Sequence, residues 1–145
     1  MAMPDITDTD LRQILSTTRV IAVVGISPKA DRPSHEVAAY LQRKGYRIVP
    51  VNPGHAGHTI LGETVFADLA AIPGDIAVDM VDIFRRSEAV PEVVAAALDH
   101  LPGLRTIWMQ LGVIHPGAAA TARARGVRVV MDRCPKIDYP RVMRG

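Results

Sequence analysis

A doubly wound parallel α/β sheet in three layers is the architecture predicted by this 145-residue chain, on three observations. Short apolar runs alternate with stretches whose apolar residues recur at helical spacing. The apolar runs are continuous, as expected of strands buried on both faces. The first run, Val20–Val24, ends in Gly25-Ile26-Ser27, crosses a polar loop over residues 28–33, and enters a helical stretch opened by Ser34. Strand, phosphate-sized loop, helix, strand is the opening unit of a mononucleotide-binding sheet.

The elements follow in order. Residues 8–17 predict a leading helix with Leu11, Ile14 and Leu15 on one face. After the strand Val20–Val24, residues 36–44 are helical, with Val37, Tyr40 and Leu41 spaced to face a core and Gly45 as the stop. Arg47–Val51 is the second strand and ends in Asn52-Pro53. Residues 52–62, rich in Gly and His, read as a loop; residues 64–66 form a short strand, followed by a helical turn near Leu69. Residues 77–83 are the next strand. Ser87 stands as an N-cap for a helix through about Leu98, with Pro91 near its first turn. Thr106–Met109 is a strand in which Trp108 and Met109 are packing residues. Residues 116–125 make an Ala-rich helix closed by Gly126, and residues 127–131 the last strand. Residues 138–145 remain as a tail behind a core of residues 19–137, and residues 1–18 hold the leading helix.

Strands alternating with helices, joined by right-handed crossovers, place ligands outside the carboxyl ends of the strands. The loops that matter are therefore residues 25–34, 52–53, 84–87, 110–115 and 132–136.

Composition narrows the classes. The length fits one domain, and 48% hydrophobic residues suffice for a core. No apolar run approaches the ~20 residues a membrane span needs. The first ten residues carry three aspartates and no basic residue, unlike a secretory leader. The single cysteine, Cys134, excludes an internal disulfide and cysteine metal clusters, and is compatible with a cytoplasmic location. Charge is uneven: residues 1–100 hold nine basic and thirteen acidic side chains, residues 101–145 eight and two. The basic half suits a phosphorylated ligand, nucleic acid, or simply a solvated helix face. Aromatics at 4% leave few stacking platforms for single-stranded nucleic acid.

The first loop is the candidate anion site. Gly25 permits a tight turn and close backbone approach. Ser27 offers a hydroxyl and its N–H, Arg32 a two-pronged contact for phosphate, and Ser34 stands where unpaired helix N–H groups point at an anion. Lys29 and Pro33 belong to the same loop. After the second strand, where a dinucleotide site places an acid for the ribose diol, this chain has Asn52. An amide binds a ribose hydroxyl without repelling a phosphate on the sugar, so Asn52 suits a 2′- or 3′-phosphorylated ribose better than plain NAD. Asn-Pro is also a common turn dipeptide.

The pieces VGIS with RPS, GYRIVPVNP, ILGETVF, VDMVDIFRRSE, TIWMQLGV and VVMDRCPKI, in this order over residues 19–137, resemble the small stand-alone CoA-binding proteins of bacteria. That family is similar to the nucleotide-binding domain of the succinyl-CoA synthetase α subunit. The resemblance implies a Rossmann-like fold that binds coenzyme A or an acyl-CoA. It implies Gly25, Ser27, Arg32 and Ser34 at the phosphates, and Val51, Asn52 and Pro53 at the adenosine end. It implies Phe84 and Arg85 across the crevice, with Gln110 and Gly112 toward the pantetheine arm. Residues 54–59 match no motif, so His55 and His58 inherit no role.

The remaining candidates are weaker. Arg86 reads as a surface arginine. Asp79 and Asp82, three apart in a strand, point to opposite faces and form no acid/base couple; one is expected to be a structural carboxylate at the strand's end. His115, before Pro116, reads as a loop histidine, since the phosphohistidine chemistry of the synthetases also needs an ATP-grasp partner. His55 and His58 lack a third ligand at recognisable spacing, so no metal is expected. Cys134 lies beside Arg133 and near Lys136, cations that favour a thiolate. A mixed disulfide with the CoA thiol is one reading, an unreactive, partly buried cysteine the other. No nucleophile, base and orienting group stand together, so the expectation is a binding or regulatory module. An NADP-dependent oxidoreductase, the CoA-binding subunit of an acyl-CoA ligase completed by another chain, and a basic nucleic-acid-associated protein are the alternatives. The sequence leaves a homo-oligomer or a partner enzyme open, and no membrane partner is expected.

Overall fold

The computed structural model describes residues 6–144. Its strands in chain order are β1 (Val20–Val24), β2 (Arg47–Val51), β3 (Thr59–Ile60), β4 (Glu63–Thr64), β5 (Met80–Ile83), β6 (Thr106–Met109) and β7 (Arg128–Val130). Its α-helices are α1 (Asp8–Thr17), α2 (Pro33–Arg43), α3 (Val90–His100), α4 (Pro116–Ala124) and α5 (Pro135–Val142). The main sheet has the order β2-β1-β5-β6-β7 with every pairing parallel. β3 and β4 form a separate antiparallel hairpin.

Period-two alternation divides the core into two layers. Ala22, Val24, Val81, Ile83, Ile107 and Met109 face α3 and α4. Ile21, Val23, Met80, Trp108 and Val130 face α1, α2 and α5. The strands bury side chains on both faces, nearly all of them apolar, and this is why their sequences do not alternate. β1 pairs with β2 on one edge and β5 on the other. The connections leave β1 in opposite directions along the sheet, so the switch point lies at the carboxyl ends of β1 and β5.

Several boundaries differ from the sequence expectation. α2 begins at Pro33, before Glu36, because proline is pre-set for the first helical position. Ser87 does not cap a helix. It opens a 3-10 turn, Ser87–Ala89, and its Oγ instead accepts from the Ile114 N–H at 3.0 Å, tying two site loops together. The strand expected over residues 77–83 starts at Met80, because the Asp79 carboxylate accepts from the N–H groups of Arg19 and Val20 at 2.9–3.2 Å. Asp79 is thus the structural carboxylate, and it stands at the strand's beginning. The last strand is shortened to Arg128–Val130. Of residues 64–66, Thr64 pairs within the hairpin and Phe66 forms a single parallel bridge to Val51.

The tail expectation fails: residues 135–142 are helix α5. Pro140 inside it masks the pattern, and its order comes from partners both near and distant in sequence. Asp138, 3% exposed, is gripped by Arg133 at 2.8 and 2.9 Å and by Arg141 at 3.2 Å. Arg141 also reaches Asp8 of α1 at 2.6 Å. Tyr139 packs edge-on against Tyr40 and Tyr46, at 6.0 and 6.2 Å between ring centroids.

Candidate functional site

A cleft of about 450 Å³ opens at the switch point, lined by Gly25, Ser27, Pro28, Lys29, Arg32, Pro33, Ser34, His55 and Phe84. The first strand ends there and must turn at once. Gly25 has φ +88°, and a Cβ on it would stand 2.3 Å from the Phe84 carbonyl oxygen. Its N–H donates to the Val51 carbonyl at 2.9 Å. Glycine is therefore required twice at this point, by its backbone angle and by the approach of β5.

The loop beyond it is held by its own side chains. Ser34 Oγ accepts from the Ser27 N–H at 2.9 Å, Ser27 Oγ accepts from the Lys29 N–H at 3.1 Å, and His35 Nδ1 lies 3.0 Å from the Ser27 carbonyl. The Ser27 N–H, expected to be available to a ligand, is consumed by Ser34. The Ser27 hydroxyl keeps its proton to donate. Ser34 is buried and its hydroxyl organises the loop.

The donors that remain belong to the helix end. Pro33 has no N–H, and the first return bond runs from the Glu36 N–H to the Arg32 carbonyl at 3.0 Å. Among the described residues the N–H groups of Ser34 and His35 have no partner. Two unpaired amides at the start of an eleven-residue helix, with the exposed cations Lys29 and Arg32 beside them, make a concentrated anion site.

The turn after the second strand is ordered by Asn52. Its Nδ2 donates to the Ile26 carbonyl at 2.9 Å, and its Oδ1 accepts from the Gly54 N–H at 2.9 Å. The amide thereby fixes the floor of the loop and the turn Pro53–His55, keeping one N–H unused. Val51 is buried and Pro53 exposed. Across the cleft, Phe84 lines the wall, while half-buried Arg85 extends to Glu92 at 3.7 Å. The structure brings Gly25, Ser27, Lys29, Arg32, Pro33, Ser34 and Phe84 into one cleft. Val51, Asn52, Pro53, Arg85, Gln110 and Gly112 stand outside its lining. His55, which carried no motif, is in the lining and stacks loosely on His58 at 6.1 Å. Only the closure of the turn after Asn52 places it there, and no sequence signal marks that.

A match to the family model described as CoA binding domain spans residues 19–140. The chain belongs to this CoA-binding domain family. An uncharacterised protein YneT of Bacillus subtilis (strain 168) is 36% identical over 130 residues, covering 90% of this chain and 92% of that one. The crystal structure of Prb, the PH1109 protein redesigned for binding, superposes with a TM-score of 0.89 at 31% identity, covering 98% of this chain and 96% of that one. Cell-free ID.343 from Thermus thermophilus superposes with a TM-score of 0.86 at 35% identity, covering 94% and 99%. The unpaired amides, the cations and the Gly25 turn form a cradle whose donors suit an anionic group such as a phosphate.

The other candidates resolve into structural parts. His115 Nδ1 accepts from the Ala118 N–H at 2.9 Å and caps α4. Trp108 is fully buried, with its Nε1–H donating to the Arg133 carbonyl at 2.8 Å. Cys134 is buried in the α1/α2/α5 layer. No helix among the described residues is long and apolar enough to cross a membrane.

Proposed function

We propose that this CoA-binding module takes coenzyme A or an acyl-CoA with its pyrophosphate at the amides of Ser34 and His35. Arg32 and Lys29 supply the countercharge, and the Ser27 hydroxyl an additional donor. Asn52 and Pro53 lie toward the sugar, where a carboxylate would repel the 3′-phosphate. Phe84 and Arg85 bound the opposite wall, with Gln110 and Gly112 toward the pantetheine arm. The observation that carries this reading is the pair of unpaired amides beside two exposed cations at the switch point.

The side chains that line the cleft are a cation pair, two serine hydroxyls, the imidazole of His55 and apolar residues, and no hydrogen bond joins His55 to either serine among the described residues. They support binding, and through binding regulation or delivery to a partner enzyme, over catalysis by this chain alone.

Thermal shift with CoA, acetyl-CoA, NADP and NAD ranks the ligands, because a ligand of the native state raises its stability. CoA and acetyl-CoA are expected to give the largest shifts. A larger shift with NADP would transfer the same cleft to a nicotinamide nucleotide. Arg32→Ala is expected to weaken CoA by roughly tenfold or more, the scale of a lost charge-assisted hydrogen bond, and to leave phosphate-free pantetheine nearly unaffected. Equal loss for both would remove the phosphate role from Arg32.

A further inference from the structure

Beneath the cleft, three buried oxygen atoms have no donor: both carboxylate oxygens of Asp82 and Oε1 of Gln110. Asp82 is fully buried on the central strand β5, with Val23 of β1 on one side and Trp108 of β6 on the other. Gln110 follows β6 and is 6% exposed. Its N–H donates to the Ile83 carbonyl at 3.4 Å, continuing the register one step past Met109. Asp82, Trp108 and Gln110 therefore project to the same face, with Gln110 diagonal to Asp82 and level with Phe84 of the cleft wall. Gln110 Nε2 is not among the sealed, unpartnered atoms, so within this amide it is the oxygen that lacks both solvent and a partner.

Buried polar atoms are almost always paired, and an unpaired buried carboxylate is among the costliest of exceptions. Among the described residues no cation bonds Asp82. The apolar members of the surrounding layer are Val23, Val37, Leu41 and Met80. The charged and titratable side chains on the helices packed there are Asp8, Asp10 and Arg12 of α1, His35, Glu36, Tyr40 and Arg43 of α2, and Lys136, Asp138, Tyr139 and Arg141 of α5, with Tyr46, Arg133 and Cys134 beside them; none bonds Asp82, and Arg133 and Arg141 are engaged by Asp138 and Asp8. Burial alone pushes the Asp82 carboxyl well above the usual carboxylate range.

We propose that Asp82 is a neutral acid whose hydroxyl donates to Gln110 Oε1, locking the Gln110 amide so that its NH₂ donors face the ligand crevice. One proton then serves two of the three orphaned atoms. Asp82 is a positioning residue: it touches no ligand and acts by giving Gln110 Oε1 a buried donor, which favours the orientation with the amide oxygen inward. The inference rests on the CoA reading only for what Gln110 meets.

The first test does not involve CoA. An infrared difference spectrum of wild type minus Asp82→Asn, at neutral pH, is expected to show the carbonyl stretch of one protonated carboxylic acid. In Gln110→Met that band is expected to persist and move. An ionised Asp82, or a band that does not move, overturns the proposal whatever the ligand is. The second test is the pH profile of CoA affinity. Wild type is expected to lose affinity at alkaline pH, where the Asp82 anion would repel Oε1. Asp82→Asn donates through its own amide and is expected to keep wild-type affinity at neutral pH with that loss abolished. Gln110→Met is expected to bind about fivefold more weakly at all pH values, the scale of one hydrogen bond. An Asp82→Asn profile that still falls with wild type overturns the positioning role. Absence of CoA binding in every variant, with the infrared result intact, would count against the CoA reading alone.

Discussion

Gly25 is the position where a single methyl group would change most. Alanine there would need φ near +88° and would drive its Cβ into the Phe84 carbonyl oxygen. Gly25→Ala is expected to lower stability by roughly 2 kcal/mol or more, read as a lower urea midpoint with an unchanged slope. Ligand affinity should fall with it, because the same turn aims the loop that carries Lys29 and Arg32. The glycine was legible in the sequence, since an apolar run ending in Gly before a polar loop and a proline-started helix has few other meanings. The division of labour between Ser27 and Ser34 was not. Both serines lie where either could face a ligand, and only the folded loop turns one hydroxyl onto the other's N–H.

At the scale of elements, side chains that join ends of strands and helices carry more than their number suggests. Asp79 receives the N–H groups of Arg19 and Val20, which have no strand partner of their own. Asp79→Ala is expected to cost about 1–3 kcal/mol by leaving those donors unsatisfied, and to raise amide exchange at the start of β1. His115→Ala removes the cap of α4 and is expected to cost about 1 kcal/mol, measured by the same denaturation. The long strands and α1 to α4 were readable because each carries its own period or cap. Helix α5 was hidden: two prolines and little amphipathic pattern say tail. Its order is supplied by Arg133, by Asp8 on α1, and by Tyr40 and Tyr46 about a hundred residues earlier. No local signal announces such partners.

Taken whole, the molecule has opposed pH dependences. Asp82 binds its proton more tightly folded than unfolded. Between the ordinary carboxylate value and its raised one, the native state holds more protons, so stability falls as pH rises through that window. Asp8 and Asp10 act oppositely. Their carboxyls are lowered, by the Arg141 hydrogen bond and by the Thr7 N–H respectively. What they contribute is present above the unfolded value and lost on acidification below it. Chemical denaturation across pH is expected to show stability falling with rising pH from the ordinary carboxylate value upward in wild type and not in Asp82→Asn, with the losses from Asp8 and Asp10 on acidification common to both.

Alternation of apolar runs with helical periods dictated the parallel sheet and its crevice, because burial on both faces leaves no choice of polarity along a strand. The loop chemistry of residues 25–34 and the acid-free position at Asn52 followed from residue types whose reach is local. What needed the third dimension was every group whose state depends on its neighbours in the fold: the loss of the Ser27 N–H to Ser34, the entry of His55, and the isolation of Asp82 beside Gln110. A donor's availability and a carboxyl's charge are set by what surrounds them in space, and chain order does not encode that directly.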